Sequence, residues 1–336
     1  MITMSQERPI VLISNADLHY KKLEPIADLI INPDPAGATR EWVMENIEKA
    51  TVFFFSCSLQ NRRRVVGSRS ATSICNCKNY LSAKKLKYLV TISVGTENID
   101  VEECRKRGIR VGFAGHDILT EATAEHCVAL TLAIARRIPE AANSIKAGGW
   151  KNWSLSYMNG KGLKNSIIGF YGMGRIGESV AEKLLPFRPR KIIYHNRNKK
   201  TNVPNYEYVS FEELVTQSDF LLITTSANAD NVDKFDRKVF EQMKTDSILV
   251  NISRGKVVHT NDLMDALLVG QIGSAALDVT EPEPLPEDHP LFGCVNCLIT
   301  PHIASGNVQT RQKQHEMGEE NVYQALLGNK MPSRLV

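Results

Sequence analysis

The chain has 336 residues, 43% of them hydrophobic and 23% charged, with a net charge of +4. Such a length suits two domains of about 100–200 residues each, and such a composition suits buried cores rather than disorder. A charge so near balance argues against a nucleic-acid partner, which needs a basic face, and no run reaches the ~18 apolar residues of a membrane span.

The opening MITMSQERPIVLISN lacks an apolar stretch of signal-peptide length. Seven cysteines, an odd number, then fit reduced thiols, and a cytoplasmic location is expected. Cys75-x-Cys77 and Cys294-x-x-Cys297 have the close spacing of zinc ligands. Neither has a second pair at the usual distance, so both are read as core or loop thiols and no metal is expected. Arg62, Arg63 and Arg64 are read as part of a solvated loop.

In chain order, residues 9–15 (PIVLISN) form an apolar run of strand length. A helix follows over 39–50 with Thr39 as N-cap, then a strand at 51–56 (TVFFFS). The polar stretch beyond it is read as a loop. Strand, helix and strand follow at 88–93, 101–107 and 109–112. A long helical stretch begins near Leu119, is broken by Pro139 and ends at Gly148-Gly149. Residues 166–171 (SIIGFY) are almost continuously apolar, as a parallel strand buried on both faces must be. Further strands are expected at 191–195, 220–224, 247–251, 274–277 and 297–300, with helices between them. Strands alternating with helices predict βαβ units and parallel sheets.

Gly172-Met-Gly174-Arg-Ile-Gly177 is a G-x-G-x-x-G motif. A strand precedes it, the helical ESVAEKLL follows, and a second strand lies beyond. In that setting the first glycine serves a tight turn, the second lets backbone approach a pyrophosphate, and the third lets helix and strand pack closely. About half the chain precedes the motif and has its own strand–helix alternation. The expected fold is therefore α/β with two doubly wound parallel-sheet domains. A Rossmann nucleotide-binding domain at 116–302 is inserted into a flavodoxin-like substrate domain formed by 1–115 and 303–336.

The strand after the motif is KIIYH, followed by Asn196, Arg197, Asn198, Lys199 and Lys200, with no carboxylate from 191 to 205. Sites selective for NAD place an acid here to accept from the ribose hydroxyls. Its replacement by three cations favours NADP(H), with NAD(H) as the weaker alternative; a basic surface turn is the plain structural reading.

Three residues at later strand ends fit hydride transfer to a 2-oxo acid. Arg254 follows SILVNIS, Glu283 lies in TEPEPLP after AALDV, and His302 follows CLITP. Arginine suits a carboxylate and carbonyl as a planar two-pronged donor. Histidine suits proton delivery near neutral pH, and a carboxylate orients it and stabilises its charged form. Taken singly, each has an ordinary structural reading as a surface arginine, a loop acid or a strand cap.

The stretches SVGTENIDVEECRKRGIRVG, LTEATAEHCVALTLAIARRIPEA, GFYGMGRIGESVAEKLLPF, VNISRGKVV, AALDVTEPEPLP and LITPHIASG carry a further signal. From Leu86 to the C-terminus the chain resembles the D-isomer-specific 2-hydroxyacid dehydrogenases, most of all their glyoxylate/hydroxypyruvate reductase branch. That resemblance implies reduction of glyoxylate or hydroxypyruvate to glycolate or D-glycerate, with Arg254, Glu283 and His302 as catalytic set. It implies that backbone N–H groups of Val94 and Gly95 hold the substrate carboxylate and that Ser305 touches substrate. Gly174, Arg175 and Ile176 would meet the pyrophosphate, and Ser226, Ile252, Asp278 and Ala304 would line cofactor or substrate. It also implies a homodimer in which a tryptophan, Trp150 or Trp153, reaches the neighbour's substrate site; the apolar helix ATAEHCVALTLAIA points to the same interface. Two departures stand out: SANADNVD replaces the family's Pro-Leu-Thr after Ser226's strand, and 59–80 has no counterpart. They keep a catalytically weakened paralogue open as a rival, and the shared fold keeps open a second, a nucleotide-sensing corepressor.

Overall fold

The computed structural model describes residues 7–14, 19–34, 37–55, 83–96, 99–115, 117–203 and 205–336. Segment 59–80, with Arg62, Arg63, Arg64, Cys75 and Cys77, lies outside the described residues. The chain divides into two compact units, Met1–Leu119 with Asn307–Val336, and Thr120–Gly306.

The first unit runs β1 (Ile10–Ile13), β2 (Asp28–Ile31), α1 (Arg40–Asn46), β3 (Val52–Phe55), β4 (Tyr88–Thr91), α2 (Val101–Lys106) and β5 (Arg110–Gly112). All its strand pairs are parallel, in the order β2-β1-β3-β4-β5, which is the flavodoxin-like order. The central strand VFFF is buried at every position, which is why a continuous apolar run marks it. Thr39 caps α1 by accepting from the Trp42 N–H at 3.2 Å. The edge strand β2 was not expected from sequence. Its residues are half-buried or exposed, and prolines stand close on either side, at Pro25 and Pro33.

The second unit begins with α3 (Thr120–Ala135) and α4 (Ile138–Lys146). Arg137, at φ 52°, makes the break between them, and Pro139 sits in the first turn of α4. There follow β6 (Ile167–Tyr171), α5 (Arg175–Leu184), β7 (Lys191–His195), β8 (Glu207–Tyr208), α6 (Phe211–Gln217), β9 (Phe220–Ile223), α7 (Arg237–Phe240), β10 (Ile248–Asn251), α8 (Thr260–Leu268), β11 (Ser274–Leu277) and β12 (Cys297–Ile299). Their parallel sheet has the order β12-β11-β10-β9-β6-β7-β8. Counted within the unit, this is the Rossmann order extended by one strand, and it reverses between β6 and β9. A crevice at the carboxyl ends of strands forms at such a reversal, and ligands bind there. The two-residue edge strand β8 was also missed by the sequence reading.

Helix α3 contributes to the core of its own unit. Ala122, Ala124, Cys127, Leu130, Ile134 and Ala135 are buried, and α3 packs against α5, β10 and β11 of its own unit. This core accounts for those positions, while Ala129 is exposed and Val128, Leu132 and Ala133 are half-buried. The large exposed apolar side chains lie just beyond it: Ile138, Ile145, Trp150, Trp153 and Leu155.

Finally α9 (Val308–Leu326) returns to the first unit, where Val322 and Ala325 pack with Val11, Phe54 and Val90. Among the described residues, no helix is long and apolar enough to cross a membrane, and no group of three or more His, Cys, Asp or Glu could hold a metal ion.

Candidate active site

The glycine motif joins β6 to α5 at the reversal of strand order. Gly172 has φ +108°, and a Cβ there would lie 2.6 Å from the Thr225 nitrogen, so only glycine fits. Gly177, one turn into the helix, faces the Gly172 carbonyl, where a Cβ would approach to 2.5 Å. Gly174 caps α5, and a Cβ there would meet nothing within 4 Å. The backbone is therefore open to an incoming group at the second glycine and closed at the other two.

Two side chains fix this loop. Thr224, at the end of β9, donates its hydroxyl to the Gly172 carbonyl at 2.6 Å. Asn196, directly after β7, accepts from the Met173 N–H at 2.6 Å. The first α-helical bond of α5 runs from Glu178 N–H to the Gly174 carbonyl, so the amides of Arg175, Ile176 and Gly177 precede it. Their position and the helix dipole suit a pyrophosphate, and these residues fit a dinucleotide.

Beyond β7, Arg197, Asn198 and Lys199 are exposed. Lys200 is not held out with them: its ammonium pairs with Glu178 of α5, and its N–H donates to the Tyr194 hydroxyl. Arg197 lies 3.2 Å from Asp230, which stands in the SANADN loop after β9. Sequence reading could not foresee that partner, 33 positions away.

The three catalytic candidates occupy the ends of successive strands. After β10, Asn251 bends the chain: its side-chain oxygen accepts from Ser253 N–H at 3.0 Å and its amide donates to the Arg254 carbonyl at 3.0 Å. Arg254 is half-buried and donates to the Ser253 carbonyl at 2.8 Å. Gly255 comes so near the chain after β11 that a Cβ would lie 1.9 Å from the Thr280 carbonyl oxygen. A glycine there lets the Arg254 loop and the Glu283 loop lie side by side.

Glu283 accepts from the Thr280 N–H at 3.3 Å with one oxygen and meets His302 Nδ1 at 2.5 Å with the other. A carboxylate only accepts, so Nδ1 carries the proton, and Nε2 is the ring nitrogen that Glu283 does not engage. That hydrogen bond raises the His302 pKa above the ordinary histidine value, against burial and against the guanidinium of Arg254.

Asp278, at the end of β11, is fully buried. It accepts from Thr300 Oγ1 (2.6 Å), Ile303 N–H (2.9 Å) and Ala304 N–H (2.8 Å). Ile252 and Ala304 are buried, Ser305 half-buried and Ser226 exposed, the Ser226 carbonyl accepting from Asn231 at 2.9 Å. Val94 and Gly95 follow β4 in the first unit. Trp150 and Trp153 lie in the loop after α4, 64% and 78% exposed.

The family model for "D-isomer specific 2-hydroxyacid dehydrogenase, NAD binding domain" matches residues 128–304, just over half of the chain. The chain belongs to the D-isomer-specific 2-hydroxyacid dehydrogenases. The mouse protein named glyoxylate reductase/hydroxypyruvate reductase is 42% identical over 253 residues, 74% of this chain and 77% of its own. The glyoxylate reductase of the archaeon Thermofilum pendens is 39% identical over 260 residues, 76% of each chain. A crystal structure of a Thermus thermophilus protein matches with a TM-score of 0.85 at 33% identity, over 97% of this chain and 100% of that one. The second unit is accordingly the dinucleotide-binding domain of a dehydrogenase, and its cofactor is of the NAD(P)(H) kind.

Proposed function

We propose that this dehydrogenase reduces glyoxylate to glycolate, and hydroxypyruvate to D-glycerate, with NADPH. The observation that carries the reading is the 2.5 Å pair between Glu283 and His302, with Arg254 following another strand of the same sheet. The two relatives named for glyoxylate reduction support the choice of substrate.

Arg254 pairs its guanidinium with the oxygens of the 2-oxo acid and fixes the carbonyl. His302 Nε2–H donates the proton that the carbonyl oxygen takes as it becomes a hydroxyl, and Glu283 stabilises the charged imidazole before that transfer. Ser305 contacts the substrate. When bound, the nicotinamide supplies the hydride. Gly172, Gly174, Arg175, Ile176 and Gly177 would hold the pyrophosphate, and Ser226, Ile252, Asp278 and Ala304 would line the site. Arg197, Asn198 and Lys199 would receive the 2′-phosphate, while Lys200, paired with Glu178, would act as a second neighbour. The exposed apolar group on α4 and the Trp150–Trp153 loop supports a homodimer formed through the dinucleotide-binding unit.

Steady-state assays with glyoxylate, hydroxypyruvate and pyruvate, each with NADPH and NADH, test this. The highest kcat/KM is expected for glyoxylate or hydroxypyruvate with NADPH. Binding of NADPH without turnover of any 2-oxo acid, or equal use of NADH, would overturn it. Sedimentation at micromolar concentration should give a dimer, and a monomer would refute that part.

A further inference from the structure

His126 lies on α3, a helix that carries none of the residues assigned above. Its side chain is 19% exposed, with Nε2 3.3 Å from Asp278 Oδ1 and 3.2 Å from Thr300 Oγ1. Donors and acceptors in this group can be assigned from chemistry. Burial pushes the Asp278 carboxyl upward, yet hydrogen bonds from His126, Thr300 and the amides of Ile303 and Ala304 bring it below the ordinary aspartate value. Asp278 is therefore ionised and only accepts. The single hydroxyl proton of Thr300 goes to it across 2.6 Å. Thr300 Oγ1 can then only accept from His126, so Nε2 of His126 carries a proton and donates.

Asp278 in turn holds the backbone around His302. Its carbonyl accepts from His302 N–H at 2.8 Å, and its carboxylate accepts from the next two amides, those of Ile303 and Ala304. Three successive N–H groups thus end on one residue. They fix a histidine at φ +54°, in a left-handed conformation that costs an L residue free energy and persists only where the surroundings enforce it. The direction in which the His302 ring leaves the chain depends on that conformation, and with it the contact to Glu283.

We propose that His126 is a positioning residue for proton transfer. Through Thr300 and Asp278 it holds the 302–304 backbone in the conformation that sets the His302 imidazole on Glu283. This rests on the reading of His302 as the proton donor.

The test uses the full chain with His126→Leu, His126→Gln and Thr300→Val, each alone and in a His302→Gln background. Measured are kcat, the KM for glyoxylate, the dissociation constant of NADPH and the melting temperature. His126→Leu should lower kcat about 10- to 100-fold, the scale of a misplaced catalytic group. KM and NADPH binding should move far less. His126→Gln, which keeps a donor at similar reach, should recover most of the loss, and Thr300→Val, which keeps the branched shape but breaks the next link, should reproduce it. In the His302→Gln background none of these changes should lower kcat further. If His126→Leu fails to fold, Thr300→Val carries the same comparison. A folded His126→Leu or Thr300→Val with wild-type kcat overturns the proposal, as does a loss that persists in full without His302. Near-normal turnover in His302→Gln alone instead removes the proton-donor reading, so the two failures are told apart.

Discussion

Two regions at the carboxyl end of the same sheet are built in opposite ways. At the ends of β10, β11 and β12, the candidate chemical groups are tied down. Asn251 shapes the Arg254 turn, Asp278 gathers three amides and a hydroxyl, and Glu283 holds His302 at 2.5 Å. At the end of β7, by contrast, Arg197, Asn198 and Lys199 stand in solvent, and Arg197 has an equally exposed partner in Asp230. Proton transfer needs atoms placed within a few tenths of an ångström and in the right direction. Discrimination between a phosphate and a hydroxyl needs charge of the right sign in the right neighbourhood. The first task demands bonds around the functional residue; the second demands only composition.

Substitutions can break or sharpen this contrast, and the largest effect belongs to the tied-down region. His302→Gln should fold and bind NADPH, yet lose about 10²- to 10⁴-fold in kcat, the usual worth of a general acid. A kcat close to wild type would remove it from the mechanism. Arg254→Lys keeps the charge and loses the planar fork. Loss of charged hydrogen bonds worth about 1.5–3 kcal/mol should lower kcat/KM for glyoxylate by about 10- to 150-fold, with NADPH affinity nearly unchanged. If the loss falls on NADPH affinity instead, Arg254 serves the cofactor.

In the solvated region smaller effects are expected. Arg197→Ala should weaken NADPH about tenfold, the lower end for a charged phosphate contact because water screens it, while NADH is unaffected. Asp230→Asn should act in the other direction, tightening NADPH by at most about fivefold, since exposed ion pairs contribute only ~0.2–1 kcal/mol. Titrations of both cofactors by nicotinamide fluorescence would show it; equal changes for NADH and NADPH would mean that neither residue reads the 2′-phosphate.

The same contrast explains what was legible in the sequence. Strands β3, β6, β9 and β10 are buried on both faces and write themselves as apolar runs, and the glycine motif is explained by Gly172 and Gly177 having no room for a Cβ. The edge strands β2 and β8 were missed because an edge is half-solvated and short, so nothing forces an apolar pattern. Arg254, Glu283 and His302 could be picked out because a strand end followed by a distinctive residue is visible locally. Asn251 was within reach too, since an asparagine at a strand end with a serine two positions on signals a side-chain-supported turn. His126, Thr300 and Asp230 were not. The bond between His126 and Thr300 spans 174 positions, that from Thr300 to Asp278 spans 22 and that of Asp230 spans 33. The apolar pattern of helix α3 reports burial, and burial in its own unit looks the same in sequence as burial in a dimer.

The proton-donor role of the Glu283–His302 pair is tested most directly by the pH dependence of kcat/KM for glyoxylate reduction in wild type and in Glu283→Gln. In reduction His302 must carry its proton, so activity falls as pH rises through its pKa. The carboxylate of Glu283 raises that pKa, and therefore extends activity to higher pH in the wild type. Glu283→Gln removes the charge and should move the alkaline limb to lower pH, with NADPH binding intact. An alkaline limb at the same pH in both proteins would contradict the assignment of His302, held by Glu283, as the group that delivers the proton.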